Sequence, residues 1–332
     1  MNRLFRLVAA AALFLLALAA CYATWYVATP LTVDRLPVEF EIPRGASLRA
    51  AVRGIEAAGV RVGVRRFEVL ARLARRAEQV KAGNYELTGA PTPLELLDRI
   101  VRGDVVLAQA RIGEGWTFRQ LRAALDAHRE LRHDTRGLSE AQILERIGAD
   151  ETRPEGLFLP ETYFFSRGAS DLDLLRRAHR ALRRHLAREW EARAPALPYR
   201  SPYEALVMAS IVEKETGRAE ERARIAGVLV NRLRAGMLLQ ADPTVIYGLG
   251  EAFDGNLRKE HLLRDGPYNT YTRPGLPPTP IAMPSLASIR AALQPEATDA
   301  YYYVARGDGT SEFSRTLEEH NRAVRKYQTH VR

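Results

Sequence analysis

The sequence predicts an α+β protein behind a single N-terminal transmembrane helix, with a small α/β module first and a larger mixed α+β domain after it. Three observations carry this. Between Leu7 and Val33 no residue is charged, and the run exceeds the roughly 20 residues that cross a bilayer. Strand-like and helix-like pieces then alternate, several of them closed by glycine. From Ser201 onward, helices with clear start and stop signals lead into a Pro-rich loop and a late hairpin. A chain of 332 residues, 46% hydrophobic and 27% charged, can bury the cores of two modest domains.

The first segment sets the compartment. Arg3 and Arg6 precede the apolar run and Asp34 and Arg35 follow it. Residues 1–6 therefore read as a cytoplasmic tail, 7–33 as the anchor, and the rest as extracytoplasmic, on the outer (periplasmic) side of an inner membrane. Trp25 and Tyr26 suit the far interface. Leu18, Ala19, Ala20 and Cys21 also resemble a bacterial lipoprotein cleavage box, so a lipidated Cys21 is one alternative and a removed signal peptide another. All three readings export the body of the chain. Cys21 is the only cysteine, which excludes a disulfide or a thiolate metal site beyond the membrane.

Charge excludes more than it assigns. The 49 basic residues exceed the 40 acidic ones, but only Lys81, Lys214, Lys259 and Lys326 are lysines, and the arginines are scattered without interleaved aromatics. Nucleic-acid binding is not expected. The seven histidines form no H-E-x-x-H pattern, no G-x-S-x-G elbow is present, and four lysines without a glycine-rich phosphate loop do not suit pyridoxal phosphate. Neither metal nor cofactor is expected.

Past the anchor, Val38, Phe40 and Ile42 alternate as in a strand, a Pro-Arg-Gly turn follows, and Leu48, Val52 and Ile55 share one helix face closed by Gly59. A helix over Arg65–Glu78, a strand near Tyr85, and a helix from Thr92 to Gly103 complete the piece. "PRGASLRAAV" and "GEGWTFRQLR" look like two copies of one strand-turn-helix signal. The βααβ order resembles LysM-type glycan-binding modules, which places one at 34–105. Residues 106–195 read as a connecting helical region interrupted by the aromatic, Pro-rich "PEGLFLPETYFF", a candidate groove wall. The region 196–332 is the remaining domain.

Within it, Ser201, Pro202 and Glu204 open a helix that ends at Gly217. A second helix runs over Glu220–Ala235. Asp242 and Pro243 read as the cap and first residue of a short helix through Tyr247, with Thr244 in its first turn. Leu286–Leu293, a hairpin from Tyr301, and a terminal helix from Thr316 follow, the last carrying His320 and Asn321 as structural residues.

The Ser201 helix ends in chemistry. At 100° per residue Glu215 continues the face of Met208, Ile211 and Val212, and Glu213 that of Leu206, Ala209 and Ser210. Desolvation and the negative helix C-terminus both raise a carboxyl pKa there. A protonated acid near neutral pH suits glycoside cleavage. Two solvated glutamates at a frayed end are the plainer alternative. Geometry does not separate the two residues, although the bulkier neighbours favour Glu215.

"MASIVEKETG", "VLVNRLRAGMLLQADPTVIYGLG", "YNTYTRPGLPPTPIAMPS" and "YYYVARGDGTSEFSRTLEEHNRAV" resemble the successive signatures of the endolytic murein transglycosylase (YceG-like) family. The similarity extends upstream through "KAGNYEL" and "EGLFLPETYFF". It implies cleavage between N-acetylmuramic acid and N-acetylglucosamine in nascent peptidoglycan, leaving a 1,6-anhydro end. It assigns the catalytic role to Glu215 and makes glycan strands the substrate and membrane-bound peptidoglycan synthases the partners. Around that site, Gln240, Asn269 and Tyr271 are candidates to bond sugar groups, and Tyr247 and Tyr268 to pack on sugar faces. Asn231 and Glu213 complete the candidate substrate-binding set. Each has an alternative: Asp242 as a helix cap, Asn231 binding a loop, Glu213 orienting the site or pairing with an arginine.

Overall fold

The computed structural model describes residues 3–43 and 45–328. Met1 and Asn2 of the expected tail, and Arg44 of the expected turn, lie outside the described residues. The first helix, α1 (Arg3–Ala28), contains an apolar stretch, Leu7–Ala28, long enough to cross a membrane. It stops short of the expected Val33. Pro30 cannot continue a helix, and Thr32–Val33 instead form strand β1.

Two compact units follow from the packing: residues 1–108 with 164–168, and residues 109–163 with 169–332. In the first, β2 (Val38–Ile42), α2 (Leu48–Ala57), β3 (Val60–Arg61), α3 (Val64–Leu73), β4 (Gly83–Leu87) and α4 (Pro93–Arg102) surround one core. β2 pairs antiparallel with β4, Val38 opposite Leu87, and β1 pairs with β3. The alternation in β2 buries Val38, Phe40 and Ile42 and exposes Glu39 and Glu41, so period two decides which face meets the core. Ser47 and Thr92 cap α2 and α4, and Gly103, at φ 78°, ends α4 in a left-handed turn. α3 is shorter than its sequence pattern, because Arg75 turns left-handed at φ 56°.

β5 (Leu107–Arg111) and β7 (Thr162–Ser166) pair with each other, and the unit boundaries fall inside them. The second unit continues with α5 (Phe118–Asp126), β6 (Leu131–Arg132), α6 (Glu140–Ile147), β8 (Ala169–Ser170) and α7 (Asp171–Glu191). It goes on through α8 (Pro202–Glu215), α9 (Ala219–Arg234), α10 (Asp242–Leu249), α11 (Lys259–Leu263) and α12 (Leu286–Leu293). The hairpin β9 (Tyr302–Ala305) and β10 (Ser311–Ser314) and helix α13 (Leu317–Tyr327) close it. Residues 109–163 and 169–195 thus fall in the same unit as 196–332.

α8 is the axis of this unit. Every side chain from Ala205 to Val212 is buried, and α12, α9, α7 and α10 pack around it. An all-round apolar helix is stable only when surrounded. The fit is close where the 296–298 segment crosses α9: a Cβ on Gly227 would lie 2.4 Å from the Glu296 carbonyl oxygen. Gly227→Ala is therefore expected to destabilise the protein by about 1–3 kcal/mol, read as a lower urea midpoint at unchanged slope.

Candidate active site

The C-terminal turn of α8 separates the two glutamates that periodicity left equivalent. Glu213 Oε2 accepts hydrogen bonds from Ser285 N–H at 2.9 Å, Ser285 Oγ at 2.5 Å and Ser288 Oγ at 2.6 Å. Ser285 is the N-cap of α12, so this carboxylate faces a helix N-terminus and locks α12 onto α8. Glu213 is thus an internal clamp rather than a free sugar ligand. Glu215, the last residue of α8, differs. Its Oε1 is enclosed and has no hydrogen-bond partner among the described residues. Burial pushes its carboxyl up to about 7; the Tyr303 hydroxyl beside it opposes the rise, and the Asp242 charge adds to it.

The residues around Glu215 are held from three directions. Tyr303 comes from β9, and its phenol lies well above its ordinary range because it is buried against the Glu215 charge. Asp242 does not cap α10, as its position suggested. The helix already includes it, and its Oδ1 accepts a 2.5 Å hydrogen bond from the Tyr271 hydroxyl. Burial, then that bond, raises the Tyr271 phenol. The start of α10 is fixed by Thr270 and Thr244: Thr270 Oγ1 accepts from Ala241 N–H at 3.0 Å and lies 2.8 Å from Thr244 Oγ1. Arg232, 8% exposed, donates Nε–H to the Tyr301 carbonyl at 2.6 Å and Nη1–H to the Leu239 carbonyl at 2.7 Å. It ties the β9 strand to the segment leading into Gln240, and its charge opposes the rise at Glu215.

Gln240 is exposed and its backbone is left-handed at φ 51°, a conformation that costs a side-chain-bearing residue about 1–2 kcal/mol. Its N–H bonds the Thr270 carbonyl at 3.0 Å, and its side chain is exposed. Two amides named from sequence have other tasks. Asn269 Nδ2 donates to the carbonyls of His261, Leu262 and Arg264 at 3.2, 3.1 and 2.7 Å, while its Oδ1 accepts from Tyr271 N–H at 2.9 Å. Asn231 Nδ2 donates to the carbonyls of Thr298 and Ala300 at 2.8 and 3.1 Å. Buried Asn269 thus satisfies carbonyls at the C-terminal end of α11, and half-buried Asn231 satisfies those of the 298–300 segment, groups that would otherwise lack a donor. For Asn231 this is the alternative reading, a loop contact.

Tyr247 and Tyr268 meet edge to face with ring centroids 4.8 Å apart, and both line a cavity of about 800 Å³. Consecutive residues share the work: Lys214 and Pro243 line this cavity, and their neighbours Glu215 and Asp242 make the acidic centre just described. Glu155 also lines it and was not singled out from sequence. It is 6% exposed, its Oε1 accepts from Phe118 N–H at 2.9 Å, and its Oε2 accepts from Tyr247 Oη–H at 3.1 Å. Burial pushes its carboxyl up to about 7 as well, against those two bonds. The "PEGLFLPETYFF" segment does supply cavity wall, through Pro154 and Glu155. Away from this region, Asp126, His133 and Asp171 bring potential metal-ligand atoms within 4.8 Å of one another, but Asp171 already accepts three hydrogen bonds from Thr135.

The model of the YceG-like family matches residues 40–326. A protein of Bacillus subtilis (strain 168) named endolytic murein transglycosylase is 30% identical over 319 residues, covering 89% of this chain and 86% of that protein. One of the same name from Streptococcus pneumoniae serotype 2 (strain D39) is 27% identical over 334 residues and 86% of this chain, which corresponds to only 57% of the pneumococcal protein. The crystal structure of a yceG-like protein from Listeria monocytogenes aligns with TM-score 0.54 and 30% identity, over 86% of this chain and 98% of the other.

Proposed function

Because this chain belongs to the YceG-like family, we propose that it is a membrane-anchored lytic transglycosylase of peptidoglycan, with Glu215 as its catalytic acid and base. The observation that carries the assignment is the enclosed, unpartnered Oε1 of Glu215 on a carboxyl pushed up to about 7. Such a group is protonated in a large fraction of molecules at neutral pH, and its Oε1 is not committed to another donor.

The reaction follows from that proton. Glu215 protonates the glycosidic oxygen between N-acetylmuramic acid and N-acetylglucosamine as the bond to C1 breaks. Now ionised, it takes the proton of the muramic C6 hydroxyl as that oxygen attacks C1, which closes the 1,6-anhydro ring. The nucleophile belongs to the substrate, so a second carboxylate to activate water is not required. Asp242 and Tyr303 set the acidity of Glu215. Gln240 and Tyr271 border the site, and Tyr247 and Tyr268 offer faces to sugar rings. In this reading the βααβ unit is a LysM-like glycan holder, and α1 keeps the site beside newly made strands on the outer face of the inner membrane. Tethering raises the local concentration of strands leaving the synthases.

Mass spectrometry of products from the full chain in detergent, given uncrosslinked nascent glycan, tests the reaction. Anhydromuramyl ends are expected; reducing ends would mean water is the nucleophile, and no cleavage would leave a glycan-binding scaffold. Tyr303→Phe gives a finer prediction. The Tyr303 hydroxyl lowers the Glu215 pKa, so its loss raises it, and the alkaline limb of kcat/KM moves to higher pH. A limb that stays in place, or moves down, would remove Tyr303 from the site.

A further inference from the structure

Among the described residues, the cavity that Lys214 lines has one cation that protein groups leave unmatched. Arg119 pairs with Glu251 at 2.7 Å and Arg153 with Glu140 at 3.7 Å. Glu155 is occupied by Phe118 N–H and Tyr247. Lys214 Nζ has only the Gly115 carbonyl at 3.4 Å, and no carboxylate partner among the described residues. Its side chain leaves α8 on the cavity side and runs over Gly115, where an added Cβ would lie 3.6 Å from Lys214 Cδ and 3.7 Å from its Nζ. Gly115 is held there by a 2.8 Å bond from its N–H to the Met283 carbonyl, at φ 68°. The exposed ammonium group thus stands at the cavity wall, at a helix C-terminus that favours positive charge, without a protein anion to neutralise it among the described residues.

The remaining wall suits a sugar. Phe118, Tyr247, Phe253 and Tyr268 give apolar faces, and about 800 Å³ lies within the size range of small-ligand sites. N-acetylglucosamine carries no charge and would leave Lys214 unpaired. The muramic sugar bears a 3-O-lactyl group, whose carboxylate is free on a denuded strand and becomes an amide where a stem peptide is attached, the peptide then bringing carboxylates of its own. Lys214 precedes Glu215 on the last turn of α8, so the cavity that Lys214 lines adjoins the turn that carries the acid.

We propose that this cavity is the subsite for the muramic unit and that Lys214 is the receptor for the carboxylate it bears. The inference rests on the transglycosylase reading for its substrate, but binding tests it without any cleavage. The probes are three oligosaccharides of equal length: a chitin oligomer with no carboxylate, a denuded N-acetylglucosamine–N-acetylmuramic acid oligomer, and the same oligomer with stem peptides. Each is titrated by calorimetry into the full chain in detergent, carrying Glu215→Gln to stop turnover.

A carboxylate-bearing oligomer should bind about tenfold or more tightly than the chitin oligomer, with the preference falling as salt rises. Adding Lys214→Met should erase the preference and leave chitin affinity unchanged, while Lys214→Arg should keep it. Tightest binding of the denuded oligomer identifies the lactyl carboxylate; tightest binding of the peptide-bearing one identifies the stem. Equal affinity for all three, or a preference that survives Lys214→Met, overturns the proposal. Lys214-dependent binding by a wild type that forms no anhydro ends would instead overturn the reaction and leave the receptor standing.

Discussion

Glu215→Gln is expected to lower strand cleavage by about 10²–10⁴-fold in kcat, because the amide can neither deliver the proton to the leaving oxygen nor recover one from the C6 hydroxyl. In the proposed reaction one side chain serves both steps, so the loss belongs toward the upper end of that range. The substitution is close to isosteric and removes a carboxyl that burial holds near 7, so the fold should survive and glycan affinity should change little. Turnover measured beside binding separates these effects: kcat falls while the dissociation constant stays. The wild-type rate should be flat in acid and fall as pH passes about 7, where Glu215 gives up the proton it must donate. A variant retaining more than a tenth of the wild-type rate would move the chemistry to another acid. Glu155 is then the next residue to replace, since it is the other cavity-region carboxyl raised to about 7.

How much of this site was legible in sequence depended on whether the deciding contact was local. Ser201, Pro202 and Glu204 announce α8 because a cap acts within one turn, and the Ser201 side chain accepts from Glu204 N–H as the spacing implies. α12 was legible to the residue, Leu286–Leu293. The raised pKa of Glu215 was legible too, since Met208, Ile211 and Val212 share its face. What separates Glu213 from Glu215 was not: Ser285 and Ser288 lie more than 70 positions away and reach α8 only when α12 packs on it. Asn231 meets the same limit, since the carbonyls it bonds, Thr298 and Ala300, lie 67 and 69 positions away, whereas the partners of Asn269 lie two to eight positions off in a stretch with no regular period to announce them. Asp242 followed the local rule for a cap and broke it, its oxygen going to Tyr271. Glu155 gave no signal because "PEGLFLPE", the stretch before β7, has neither helical nor strand period. Its place emerges only where α5 presents the Phe118 N–H.

Glu155 also predicts how stability depends on pH. Its carboxyl is raised from 4.5 to about 7 by burial, although Phe118 N–H and Tyr247 both favour the ionised form. A carboxyl with a raised folded pKa binds its proton more tightly in the folded chain than in the unfolded one. Its stabilising contribution is full below about 4.5 and is lost as pH rises to about 7, where the folded protein must hold a buried anion. The difference amounts to about 3 kcal/mol from this residue, and Glu215 adds a term of the same sign. Glu155→Gln keeps an acceptor for the Phe118 N–H and cannot ionise. Relative to wild type it should therefore gain stability at pH 8 compared with pH 4.5, the gap between the two proteins shifting by up to about 3 kcal/mol across that range. Urea melts of wild type and variant at the two pH values measure the shift. A gap that does not change with pH would mean that Glu155 ionises as freely when folded as when unfolded, which would require water or a cation to reach it through the cavity it lines.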